Sequence, residues 1–302
     1  MSKPRVSLVT CRAIADLDEE DALLVPALAA RGIDARPVVW DDPSVDWNEA
    51  GLCILRSPHD YAERRDEFVA WAKSVPRLLN PAPIVEWNTD KHYLEDLRAR
   101  GVPVIPTMWL EPEQNLTKRT LHTRFPASAE FVIKPAIGGG AQDTGRYTAN
   151  KANTRSLAIL HADRLLKAGR SVMIQRYLSS VDTIGETSLV FINGMFQYAV
   201  KKEAMLHGPS QGPQEVHTAH VASAEASEAE FAVAQAVYDA VHGVIVDLTG
   251  ADEWLIYSRI DLAHDDDGNP VVMEVGLTDP SLHFSHHEGA LETFADAIAA
   301  RL

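Results

Sequence analysis

The chain has 302 residues, a mass of 33.2 kDa and 46% hydrophobic residues, enough for two or three packed lobes. Its formal net charge of −15 opposes nucleic acid and anionic membrane surfaces, so neither is an expected partner, and an anionic ligand must meet a local basic pocket. The N-terminus enters a strand-like run directly and no run of about 18 apolar residues occurs, so neither a signal segment nor a membrane span is expected. Cys11 and Cys53 lie in short apolar runs without metal-ligand spacing, which predicts two buried thiols and a cytoplasmic protein.

The first 110 residues alternate short apolar runs with helix-like stretches: VSLVTC, residues 18–31, ARPVVW, GLCILRS, residues 62–75 and RLLN. That order predicts a small, mostly parallel sheet. Ligands of such sheets collect beyond the C-terminal ends of strands. RSPHDY follows one, which nominates Arg56, His59 and Tyr61 for substrate contact, with a plain surface loop as the alternative. NTDKHYLEDLRAR, 88–100, has an Asn/Thr/Asp start and stops at Gly101, the pattern of one capped helix. From 107 to 180 the pattern changes to a strand at 131–135, a glycine loop, a strand near 145–148, a helix at 154–168 and the strand-like SVMIQRYL. Two hairpins, an alanine-rich helix at 223–247 and a C-terminal helix at 288–301 follow. The polar loop HGPSQGPQEVH, 207–217, reads equally as a lid or as an idle surface loop.

Several stretches carry chemistry. In FVIKPAIGGGAQDTGRY, 131–147, the spacing from Gly140 approaches G-x-x-x-x-G-K-[ST] but ends in Arg146-Tyr147. A strand, not the helix a P-loop needs, is expected after Gly145. Lys134 instead precedes Gly138, Gly139 and Gly140, whose backbone amides can approach an anion. In WLIYSRIDLAHDDDGNPVVMEV, 254–275, a two-residue turn at Asp267-Gly268 puts Asp261 opposite Glu274 and Arg259 on the same face. Opposed carboxylates repel at Cβ separations of about 4.5–5.5 Å, so a divalent cation is expected, and oxygen donors indicate Mg²⁺ or Mn²⁺. A solvent-facing polar hairpin is the plain alternative, and an odd-length loop would break the pairing. In GETSLVFINGMFQYAVKK, 185–202, a turn at Asn193-Gly194 puts Glu186 opposite Lys201, either as an exposed ion pair or with both facing a ligand. LHFSHHE offers His283 and His287 beside Glu288, a zinc pattern without a further ligand, so histidines beside a substrate pocket are the favoured reading.

Taken together, NTDKHYL, VIKPAIGGG, VMIQRYL, GETSL and RIDLAHDDDGNPVVMEV resemble, in order over 88–282, the nucleotide-binding motifs of the ATP-grasp superfamily. The resemblance implies an α/β (α+β) protein: a parallel-sheet lobe at 1–107, then two α+β lobes, 108–180 and 181–302, clamping ATP. It implies Lys91, Lys134 and Lys201 around the phosphates and Gly138, Gly139 and Gly140 as a flap. Gln175, Arg176, Tyr177 and Leu178 would meet adenine and Glu186 ribose. Asp261 and Glu274 would hold metal, and Arg259 would stabilise the transferring phosphoryl group, as phosphoryl transfer requires. One departure stands out: the superfamily's usual Glu-x-Asn is here Glu274-Val275-Gly276. Water or a side chain such as Asp279 would then complete the metal shell, and Gly276, facing Arg259, would leave room above the guanidinium.

The implied activity is phosphorylation of a small amino-acid-like carboxylate by Mg·ATP, followed by attack of nitrogen on the acyl phosphate. VVWDDPSVDW, NTDKHYL and SLVFING look most like the cyclo-ligases that close O-ureido-D-serine into the antibiotic D-cycloserine. An intermolecular ligase of the glutathione-synthetase or peptide-ligase kind, and a nucleotide-binding protein without ligase activity, stand as alternatives. A homodimer is compatible with the sequence.

Overall fold

The computed structural model describes residues 3–212 and 219–302, and the described residues hold three separate sheets. The first contains β1 (Arg5–Thr10), β2 (Asp34–Val39), β3 (Leu52–Ser57) and β4 (Leu78–Leu79), all parallel in the order β2-β1-β3-β4, as expected. β3 reads LCILRS and is buried at every position, because helices cover both faces. Leu24 and Leu28 of α1 (Leu24–Ala29) pack on Val6, Leu8 and Ile54. Phe68 and Trp71 of α2 (Arg65–Ser74) pack on Val9, Cys53 and Leu55. Cys11 and Cys53 are buried free thiols, and burial pushes the Cys53 thiol up to about 12.

Of the helix expected at 88–100 only α4 (Tyr93–Ala99) forms; a separate helix, α3 (Ala82–Asn88), precedes it, with Lys91 in the turn between them. Asn88 caps nothing. Its amide turns inward, donating to Val275 O at 2.7 Å and accepting from Leu277 N at 2.9 Å.

The second sheet is antiparallel in the order β5-β8-β6-β7, from β5 (Thr107–Leu110), β6 (Glu130–Pro135), β7 (Gly145–Thr148) and β8 (Val172–Arg176). α5 (Lys118–Arg124) and α6 (Ala152–Lys167) close its core, where Leu121, Ala158 and Leu165 meet Phe131, Ile133 and Tyr147. The glycine loop joins two antiparallel strands, which removes it from the P-loop class. Asp143 in that loop is buried and ion-paired to Arg164 and Arg170, so one end of the loop is anchored. Of the 207–217 loop, residues 213–217 lie outside the described residues; Arg146 N donates to Gly208 O at 2.8 Å, so the described part rests on β7.

The third sheet follows α7 (Ser180–Thr183). Its strands are β9 (Glu186–Ile192), β10 (Met195–Lys202), β11 (Val221–Ala224), β12 (Tyr257–His264) and β13 (Pro270–Gly276), antiparallel in the order β11-β10-β9-β12-β13. The long apolar helix, α8 (Glu228–Thr249), opens with a Ser227/Glu230 capping box worth about 1 kcal/mol and ends at Gly250. By length and composition it could cross a membrane, but Val237, Val241 and Ile245 pack into one core with Leu189, Phe191 and Leu262. α9 (Ala290–Ala299) packs Phe294 and Ile298 against the first sheet's core.

Two bulges decide which side chains of this sheet share a face. Asn193 and Gly194 adopt left-handed φ of 46° and 81°, as a tight hairpin turn requires, but a bulge at Gln197 then shifts the register. Glu186 therefore stands opposite Lys202, and Lys201 opposite Thr187. In the other hairpin the turn is longer than two residues, with Asp265 N donating to Asn269 O at 2.9 Å and His264 paired to Pro270. A bulge at Met273 takes up the odd residue, so Asp261 still faces Glu274 and Arg259 faces Gly276.

The first sheet is fused to the third. Asn80 donates to Tyr257 O (3.0 Å) and Leu277 O (2.8 Å) and accepts from Ile256 N (3.0 Å). Arg56, expected at substrate, points into this junction and is 1% exposed. Its Nε donates to Asp21 at 2.8 Å, one terminal nitrogen donates to Pro280 O at 3.2 Å, and the guanidinium lies 5.1 Å from the Tyr257 ring centroid. A strand end that is covered by another lobe presents its side chain to that lobe, not to ligand. Asp21→Ala would leave a buried guanidinium unpaired, and should cost about 3–5 kcal/mol in urea unfolding.

Candidate active site

A cavity of about 640 Å³ lies where the three sheets meet, within the size range of small-ligand sites. One end is apolar: Ile105, Val132, Tyr177, Leu178 and Val181 cluster there with Leu206 and Met273. Tyr177 is fixed by its hydroxyl, which donates to Asp182 at 2.6 Å, and by the Arg146 guanidinium stacked 3.6 Å from its ring centroid. Gln175 donates to Thr107 Oγ1 at 2.8 Å, while Arg176 reaches outward to Asp266 at 2.5 Å.

The middle of the cavity is densely charged. Asp261 is 2% exposed; Arg259 grips it with two hydrogen bonds of 2.9 and 2.8 Å, and Lys202 Nζ lies 2.9 Å away. Burial alone would raise the Asp261 carboxyl, but Arg259 and then Lys202 hold it well below the usual carboxylate range. Lys202 also pairs with Glu186 at 3.2 Å, and Asp261 and Glu186 raise its ammonium against the opposing effect of burial. Glu274 opens onto the cavity and pairs with Lys91 at 3.3 Å; burial would raise it, but Lys91 and Lys134 keep it low. Lys91 Nζ also donates to Gly138 O at 2.6 Å, which holds the glycine loop beside the carboxylates. Lys134 differs from these. Among the described residues it has no carboxylate or carbonyl partner, and burial pushes its ammonium down to about 8, with Glu274 opposing. Such an ammonium has its charge uncompensated by any direct partner and is open to an anion.

The remaining end is built from the first lobe and the segment after β13: His59, Gly276, Asp279, Ser281 and His283. His59 Nδ1 lies 3.2 Å from Asp279 Oδ2, and Arg259 donates to Ser281 O at 2.9 Å.

Lys91, Lys134, Gly138, Gly139, Gly140, Gln175, Arg176, Tyr177, Leu178, Glu186, Arg259, Asp261, Glu274 and His59 all line this one cavity. Three expected residues do not. Lys201 faces the other side of the sheet, donating to Thr187 Oγ1 at 2.8 Å with Glu230 4.0 Å away; the Gln197 bulge gives its place to Lys202. Arg56 is buried in the lobe junction. Tyr61 is buried in the first lobe's core behind the glycine loop, its hydroxyl 3.9 Å from where a Cβ on Gly139 would lie. The room expected above Arg259 is filled, since a Cβ on Gly276 would come within 2.8 Å of Pro280 Cβ. The zinc pattern also dissolves: His283 lines the cavity beside Ser281, His287 stacks on Tyr198, and no metal-binding group of three His, Cys, Asp or Glu occurs among the described residues. Asp279, expected to complete a metal shell, pairs with His59 at 3.2 Å. Lys202 was hidden by an adjacent lysine, whereas Met273 and Leu206 carry no signal beyond hydrophobicity.

A family model described as D-cycloserine synthetase DcsG, N-terminal domain, matches residues 6–80. The chain is 38% identical over 303 residues to the cycloserine biosynthesis protein DcsG of Streptomyces lavendulae, with 98% of each covered. The chain belongs to the DcsG family. A crystal structure of D-cycloserine synthetase DcsG superimposes with a TM-score of 0.85 at 36% identity, covering 98% of this chain and 99% of that one. More distant matches share the fold. D-alanine–D-alanine ligase from Bacillus anthracis gives a TM-score of 0.65 at 14% identity, covering 99% and 98%. The ATP-grasp ligase PsnB, complexed with a precursor variant, Mg and ADP, gives 0.60 at 19%, covering 100% and 99%. This DcsG-family chain therefore shares its fold with ATP-grasp ligases.

The Lys134 environment sets a pH dependence. Below about 8 its ammonium is charged and ready for a phosphate; above, a proton must be taken up on binding. Affinity for a nucleoside triphosphate, measured by calorimetry, should fall as pH rises through about 8, and Lys134→Met should flatten that dependence.

Proposed function

We propose that this protein is an ATP-dependent cyclo-ligase that converts O-ureido-D-serine to D-cycloserine. The similarity to DcsG along nearly the whole chain carries this reading, and the cavity's three zones support it. The apolar end, with Tyr177, Leu178 and Met273, suits adenine, and Glu186 beside it suits ribose. Lys91, Lys134, Lys202 and Arg259 suit the phosphates, and the His59–Asp279 end suits a small amino-acid-like substrate. The Asp261–Glu274 pair offers only oxygen donors, and Glu274 opens onto the cavity, so the residues fit Mg²⁺, or Mn²⁺, shared with nucleotide phosphates. When bound, that ion would neutralise charge on the phosphates.

In this reading the substrate carboxylate attacks the γ-phosphate while Arg259 and Lys202 hold the charge of the transferring group. The nitrogen bonded to the side-chain oxygen then attacks the acyl phosphate and closes the ring, releasing phosphate. One water releases the carbamoyl group as carbon dioxide and ammonia. Nothing in the sequence needs to act as a covalent nucleophile.

ADP release should require O-ureido-D-serine and proceed without added amine. An absolute amine requirement would favour intermolecular ligation, and release independent of any carboxylate would contradict ligation altogether. Glu274→Gln should lower kcat by at least about 100-fold with an unchanged unfolding midpoint, because it removes a charge facing the phosphates. Lys202→Ala should likewise cripple turnover. Lys201→Ala, on the other face of the sheet, should alter it by less than about threefold.

A further inference from the structure

We infer that Asp279, fixed by His59, is the receptor for the substrate's α-ammonium group. The inference rests on the amino-acid ligase reading and deepens it by naming the group that selects the substrate. Among the described residues, four carboxylates line the cavity. Glu186, Asp261 and Glu274 each pair with a lysine or arginine, whereas Asp279 among the described residues pairs only with His59, at 3.2 Å. A carboxylate that no lysine or arginine hydrogen-bonds directly, with Arg259 acting on it only at longer range, is placed to discriminate for a cationic group on the incoming molecule.

The distances within an amino acid agree with this placement. The ammonium and the carboxylate of an α-amino acid sit on one carbon, so their receptors must be neighbours. Arg259, beside the attacking carboxylate, donates to Ser281 O at 2.9 Å, two residues along from Asp279. Arg259, on β12, is thus tied directly to the segment that carries Asp279. That segment is fixed from behind: Arg56 donates to Pro280 O at 3.2 Å, and Pro280 packs against Gly276. Gly139 keeps Asp279 open, since a Cβ there would lie 3.6 Å from its Oδ2 and cover it. Arg56 is therefore a positioning residue for this subsite.

The test compares O-ureido-D-serine with its desamino analogue, 3-(ureidooxy)propanoate, by ADP release from the full chain and from Asp279→Asn. The wild type should prefer the amino compound by about 100-fold in kcat/KM, as a charge-assisted contact to a half-buried carboxylate allows. Asp279→Asn should raise the KM for O-ureido-D-serine by about 10- to 100-fold and shrink the preference below about tenfold. ATP affinity by calorimetry should be unchanged, which reports an intact fold. A variant that keeps the preference, or loses both substrates equally, overturns the subsite. If the wild type turns over neither compound, the cyclo-ligase reading fails, and the same comparison is made with small α-amino acids and their desamino acids. Release that ignores the amino group, or no release with any amino acid, then overturns the subsite as well.

Discussion

Everything at this site depends on keeping Asp261 ionised in the interior. A carboxylate 2% exposed would take up a proton unless cations offset its lost hydration, and here Arg259 and Lys202 do so at 2.8–2.9 Å. The three groups come from two strands that are not neighbours, β10 and β12, with β9 between them carrying Glu186. Removing one partner would strand the others, so the sheet, its bulges and the cavity charges stand or fall together. The same network explains how a chain of net charge −15 can receive a polyanion. The cavity's local field is set by Lys91, Lys134, Lys202 and Arg259, which line it and are poorly screened.

What the sequence revealed, and what it hid, follows from how local each signal was. Apolar runs bounded by turns disclosed the parallel sheet and both hairpins, because burial on a sheet imposes those patterns directly. The Asp261–Glu274 pair was legible through compensation: an odd-length turn and a bulge at Met273 cancel. In the other hairpin the turn was as expected, but the bulge at Gln197 was uncompensated, so the pairing moved from Lys201 to Lys202. A bulge answers to what packs on the sheet, which neighbouring residues do not encode. Arg56 misled for a related reason: that its strand end is covered by another lobe is a tertiary fact.

The segment after β13 accounts for the departure at Gly276. Pro280 folds back onto the hairpin end, and no side chain fits at 276 while it does. The position that a longer residue would use is thus taken by Pro280. Tyr257 supports the same segment, its hydroxyl bonded to Leu55 O at 2.9 Å and Thr278 O at 2.8 Å, which ties this end of the cavity to the first lobe. The glycine loop is tied at Asp143 and, through Lys91, at Gly138, which leaves Gly139 and Gly140 between two anchors.

The central claim is that this cavity activates a carboxylate by making an acyl phosphate. The most direct measurement uses O-ureido-D-serine labelled with ¹⁸O in its carboxylate and follows the label by ³¹P NMR or mass spectrometry. Each phosphate released should carry one labelled oxygen from the substrate. Turnover that yields unlabelled phosphate would mean the carboxylate never attacked phosphorus, and would contradict the account.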